Sequence, residues 1–218
     1  MTPEAFVTEL AAENRSHLEA LAAASAAGVP GEALTVAALL KLALRNEYEA
    51  ADLAAYWMAD TPELDAKLAL ARQCGDEAKH YRWIEERLGA LGVDLAGFDP
   101  AAAGPSPLTA HLRGLRTTVE RAAAGQFTRE AIAVARNDVF AAFCEERGDA
   151  ETASLYRDRI QPDERHHHDL GRRLLLRYAI GEEAQLRARD AARATLRIAD
   201  EIQELARMKA GICRAPGC

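Results

Sequence analysis

Two short strings, Asp76-Glu77-Ala78-Lys79-His80 and Asp163-Glu164-Arg165-His166-His167, each set a glutamate three residues before a histidine, in stretches that otherwise read as helix. Residues i and i+3 share one side of a helix, so each string can offer a carboxylate oxygen and an imidazole nitrogen to the same cation. One such string constrains little. Two strings, each following another helix that carries an inward acid, are what a four-helix bundle needs to hold a pair of metal ions in its core.

The rest of the chain supports a helical reading. Of 218 residues, 49% are hydrophobic and only 6% aromatic, so there is material for one substantial core in one domain. Ala and Leu dominate and β-branched residues are scarce, which predicts an all-α fold. Gly28-Val29-Pro30-Gly31 separates a helix over about Pro3 to Ala27 from one over about Leu34 to Asp60. Asp60-Thr61-Pro62-Glu63 then caps the start of a third, running to about Leu91. Gly97, Pro100, Gly104 and Pro105 mark Gly92 to Pro107 as a long crossover between two helical hairpins. Further helices are expected at about Leu108 to Ala124, Thr128 to Arg147, Asp149 to Ile180 and Glu182 to Arg207. Residues 1–210 thus form one helical domain, with the ligand-bearing bundle over about 34–180 and a flexible tail over 211–218.

Charge and targeting signals narrow the class. The net charge of -7 argues against a nucleic-acid coat protein, although Arg165 to Arg197 is locally basic. MTPEAFVTEL does not read as a signal peptide and no apolar run reaches the length of a membrane span, so a cytosolic chain without membrane contact is expected. In that compartment the four cysteines are thiols: Cys74 and Cys144 as packing residues, Cys213 and Cys218 in the tail.

The proposed ligands fall on apolar seams. Glu47 follows Leu40 and Leu44 and precedes Ala51, Ala54 and Met58 at alternating steps of four and three. Glu77 occupies the same kind of seam with Leu70, Cys74, Ile84 and Leu88, as does Glu164 with Ile160, His167, Gly171 and Leu174. A lone ionised acid buried there would be costly, so such acids are paired, neutralised or bound to metal. An internal repeat supplies a fourth acid: Arg45-Asn46-Glu47 precedes the first string, and Arg136-Asn137-Asp138 precedes the second. The hairpin pairing then sets Glu47 beside Glu77 and Asp138 beside Glu164. The expected constellation is Glu47, Glu77, His80, Asp138, Glu164 and His167, with Asp76 and Asp163 placed to accept the second ring hydrogen of the histidine in their own string. Glu49 faces away from Glu47. Pro162 leaves the second register open, with His166 or His168 as the other ligands there, because it either kinks a helix or starts a new one.

The pattern Glu47, Glu77-x-x-His80, Asp138, Glu164-x-x-His167 resembles the ferritin-like di-iron carboxylate superfamily, and it spans about residues 34–180. An Asp before each Glu is similar to the oxygenase and ribonucleotide-reductase branches. The third carboxylate being Asp resembles the benzoyl-CoA and phenylacetyl-CoA epoxidases, and the size of the chain resembles the tRNA hydroxylases. Lys79 and His166 depart from the Arg often found before the histidine. The resemblance implies a ferritin-like four-helix bundle with a long crossover and added N- and C-terminal helices. It also implies two Fe ions, with Mn an alternative, and an oxygenase or hydroxylase that uses O2 and an external electron donor on a small organic substrate. A tRNA substrate and a homo-oligomer are compatible with it. The other classes are a ferritin- or rubrerythrin-like ferroxidase, peroxidase or manganese catalase, and a non-catalytic metal-binding bundle.

Overall fold

In the computed structural model, which describes residues 1–27, 35–210 and 215–217, every regular element is a helix. α1 (Pro3–Ala27) is followed by the hairpin of α2 (Val36–Asp60) and α3 (Leu64–Ala90). Thr35 starts α2 by accepting a hydrogen bond from the Ala38 amide at 3.1 Å. The helix stops at Thr61, whose amide and hydroxyl both return to the Trp57 carbonyl, and Pro62 has no amide hydrogen with which to extend it.

The crossover runs from Leu91 to Ser106 and is pinned at its far end by Glu49. That carboxylate accepts the Ser106 amide at 3.1 Å and the Thr109 hydroxyl at 2.5 Å, at the start of α4 (Pro107–Arg113). These bonds and Arg45 hold Glu49 ionised, below the usual carboxylate range, although burial opposes them.

The second hairpin departs from the expected helix limits. The break falls at Gly114 to Thr117 rather than at Gly125 to Phe127, because Thr117 and Glu120 form a reciprocal capping box that starts α5 (Thr118–Arg121). From there a single rod continues through a π-helical segment (Ala122–Arg129) into α6 (Glu130–Glu146). Gly125 is a packing residue in this rod: a Cβ there would lie 2.6 Å from Cζ3 of Trp57. The return arm is α7 (Ala150–Ser154), a second π-helical segment (Leu155–Ile160) and α8 (Gln161–Tyr178). Pro162 therefore neither breaks the rod nor begins a separate helix. The widened turn immediately before it accommodates a residue without an amide hydrogen.

Within the bundle α2 packs on α3, and α8 packs on α6 and on the first π-helical segment. The last contact is very close at Gly171, where a Cβ would stand 2.5 Å from the Phe127 amide nitrogen. α1 and α9 (Glu182–Ala210) cover the second hairpin. One end of the core is built from Leu40, Leu44, Ile84, Leu88, Phe140 and Tyr156, the other from Phe6, Leu10, Phe127, Leu174 and Leu175. Glu77 and Glu164 fall between these apolar layers along their helices, and Glu47 falls between Leu44 and a third apolar group that includes Leu53 and Trp57. Among the described residues no helix is long and apolar enough to cross a membrane.

Part of the expected flexible tail is docked. Asn46 donates to the Pro216 carbonyl at 3.0 Å, and the Gly217 amide donates to the Asn137 side-chain oxygen at 2.9 Å. Cys213 and Cys218 lie outside the described residues.

Candidate metal centre

Five of the six residues expected as ligands meet in the bundle core, together with one that was not expected. Glu47, Glu77, His80 and Glu164 form one group, and Glu77, Glu130, Glu164 and His167 a second; within each, one ligand atom per residue lies within 4.8 Å of the others. All six are at least nine-tenths buried, with His80 and His167 fully so. The groups share Glu77 and Glu164. Such a buried Glu/His cluster can hold a metal ion.

Asp138 is not among them. Its side chain is 57% exposed, beside Arg165 and bonded to Gln161 at 2.6 Å. Glu130 takes the inward position at the junction of the first π-helical segment and α6. The hairpin geometry carries the reason. Position 62, in the turn between α2 and α3, lies midway between Glu47 and Glu77; position 147, in the turn between α6 and α7, lies midway between Glu130 and Glu164. Centring the acids on the turn selects Glu130, whereas the Arg-Asn-acid repeat points two helical turns too far. The repeat itself is real, but its shared element is the asparagine pair that holds Pro216 and Gly217.

Both imidazoles turn Nδ1 toward the carboxylates. His80 Nδ1 lies 3.2 Å from Glu77, 3.4 Å from Glu47 and 3.6 Å from Glu164. His167 Nδ1 lies 3.6 Å from Glu77 and from Glu164. The outer nitrogens go to the two aspartates, but across the helix pair rather than within each string. His80 Nε2 is 3.3 Å from Asp163, and His167 Nε2 is 3.2 Å from Asp76. Asp76 is also bound by Lys79 at 2.6 Å and Arg72 at 3.3 Å. An aspartate accepting the Nε2 hydrogen leaves the Nδ1 lone pair of a neutral ring facing inward, which is the form a cation requires.

A third tier holds the carboxylates. Gln73 donates to Glu130 at 2.7 Å and to Glu77 at 3.2 Å, and accepts a hydrogen bond from Gln126 at 3.0 Å. Arg129, itself buried, pairs with Glu130 at 3.0 Å.

Electrostatically the cation-free cluster is crowded with acid. Burial pushes Glu47 up to about 7, against the opposing pull of His80. Burial and the neighbouring Glu77 charge push Glu164 well up. Burial alone would strip the histidines of charge, but bonds to Asp163, Glu47 and Glu77 carry His80 well above the ordinary range. The bond to Asp76 and the closeness of the Glu164 and Glu77 carboxylates likewise carry His167 to about 11, against burial. Glu77 remains ionised: burial opposes this, but the His80 bond and the His167 and His80 charges outweigh it. Protons thus occupy the places that cations of higher charge would take.

Two buried atoms in the cluster remain without a hydrogen-bond partner, Glu164 Oε2 and His167 Nδ1. Both face the shared centre, where a metal ion would satisfy them. No family model, curated protein or solved structure matches this chain.

Proposed function

We propose that the chain is a dinuclear metal oxidoreductase of ferritin-like type, most economically a di-iron oxygenase or oxidase acting on a small organic substrate. The observation that carries this reading is the sharing of Glu77 and Glu164 between two four-residue groups, with an orphaned ligand atom on Glu164 and another on His167. Glu47 and His80 would hold one ion, Glu130 and His167 the other, and Glu77 and Glu164, common to both groups, would be available to either. Four carboxylates balance two divalent cations, and an oxygen-rich set with one imidazole per position suits iron or manganese. When bound, a pair of iron ions supplies the one-electron chemistry by which O2 is reduced.

The work of the chain is to hold these ligands ready and dry. Asp76 and Asp163 fix the rings of His167 and His80 with Nδ1 inward. Gln73 keeps Glu77 and Glu130 facing each other, and Gln126 in turn orients Gln73. Ile84 and Ile160 lie one helical turn from His80 and Glu164, and with Phe127 and Tyr156 they are at 1% exposure or less. Keeping four acids in such a place costs stability when no cation is present, which is typical of residues retained for function.

The test is metal analysis of full-length protein purified without chelator, followed by O2 consumption with a chemical reductant. About two iron or manganese ions per chain, lost in both Glu77→Ala and Glu164→Ala, with reductant-dependent O2 uptake, is the expected result. A folded wild-type chain that takes up no iron or manganese would sink the proposal. Mineralised iron in a large cage would favour storage over oxidation of a substrate.

A further inference from the structure

A cavity of about 190 Å3 lies outside the cluster, between α2, the start of α4, α6, α9 and the docked residues 215–217. Leu42, Leu108, Ile202, Ala206 and Pro216 give it a mostly apolar wall. Leu108 is buried and Leu42 is 37% exposed, so the space runs from the interior to the surface. None of the six clustered Glu and His residues borders it.

The polar side chains of the wall are already engaged. Asn46 donates to the Pro216 carbonyl and Ser106 to the Thr109 hydroxyl, while Arg136 donates to the Ala199 and Gly217 carbonyls and to Gln203. A guest therefore gains contact area here rather than new hydrogen bonds. A carboxylate would surrender its water against Leu108, Ile202 and Pro216, which is costly. The bonds from Asn46 and Arg136, with the Gly217 amide on Asn137, also hold residues 215–217 in place as one side of the cavity.

Size narrows the guest further. An apolar cavity of about 150 Å3 accepts benzene, so this one suits one ring or two fused rings. We propose that it is a binding site for a compact, uncharged organic molecule of that size, with Ala215 and Pro216 as one wall. Because no clustered ligand residue borders the cavity, binding there does not require metal.

Indole is the probe that matches the volume. It is titrated calorimetrically into the full-length protein, with indole-3-carboxylate as its charged counterpart. Saturable binding of about one indole per chain is expected, with or without chelator, and the carboxylate should bind about tenfold more weakly or worse. Ala206→Trp fills the cavity and should abolish indole binding while the chain still unfolds cooperatively on heating. Asn137→Ala leaves every wall residue unchanged but frees the Gly217 amide, and should weaken indole about three- to tenfold. The proposal is overturned by a wild type that shows no saturable indole binding, by equal affinity for the carboxylate, or by wild-type affinity in a folded Ala206→Trp. If Ala206→Trp does not fold, wild-type affinity in Asn137→Ala overturns it instead.

Discussion

Asp76 accepts from His167, ninety-one residues away, at 3.2 Å, while the histidine of its own string turns its outer nitrogen to Asp163. Within one helix Asp76 and His80 are near neighbours, but His80 spends its inner nitrogen on Glu77 and must direct the other across to α8. The two strings are therefore locked to each other. Asp76→Ala should lower affinity for the second metal ion about 10- to 100-fold while leaving the first nearly unchanged. Competition with a metal chelator measures both steps; equal loss at both positions would show that Asp76 acts only through general packing.

The choice between Glu130 and Asp138 gives a sharp contrast. Glu130→Ala removes a group that is 1% exposed and should cost one metal equivalent. Asp138→Ala removes an exposed acid and should leave metal content unchanged, with a stability change within about 0.5 kcal/mol. Elemental analysis of the two purified variants decides it.

The first hairpin was legible because its signals agree. Thr61 and Pro62 mark the turn, Glu47 and Glu77 sit on regular seams, and both helices keep an unbroken 3.6-residue period. The second hairpin hid its acid because each arm contains a π-helical segment, which a 3.6-residue pattern misrepresents. Glu130 stands at the end of one such segment, where it reads as an ordinary acid near a helix start. The Arg-Asn repeat added a persuasive but unrelated signal, since Asn46 and Asn137 serve the docked tail. The crossed Asp–His bonds depend on which helices face each other, which no single-helix spacing contains.

Proton occupancy gives the cation-free protein a distinctive pH profile. Burial raises Glu47 from 4.5 to about 7, and the Asp76 bond with the surrounding carboxylates raises His167 from 6.5 to about 11 despite burial. Both groups hold protons more tightly in the folded chain, so their contribution is complete below the unfolded values and is lost as pH rises through the folded ones. Thermal unfolding in chelator should therefore show a midpoint that falls from about pH 5 to about pH 9. With saturating Mn2+ the trend should reverse in the lower part of that range, because cation binding displaces the protons. A chelated protein whose midpoint rises with pH would contradict the proton occupancy described.

Close approach at two glycines sets the spacing of the bundle. Gly171→Ala would push a Cβ against the backbone of Gln126 and Phe127, and Gly125→Ala against the Trp57 ring. Each should destabilise by about 1–3 kcal/mol, with Gly171→Ala the worse because backbone cannot rotate aside. Gly75, in mid-α3 with nothing within 4 Å of its added Cβ, is the control: Gly75→Ala should stabilise by about 0.5–1 kcal/mol. Denaturant unfolding of the three variants ranks them.

The π-helical segment from Ala122 to Arg129 also bears on how this chain is aligned with any other. Such a segment takes up one residue more than an ordinary helix would, so deleting a single residue there would let the rod relax to α-helix with Glu130 still facing the core. A gap of one residue in that stretch is thus a change of local winding that leaves the ligand where it was. An alignment that slides across it unmarked will match the wrong acid, however well its apolar positions agree.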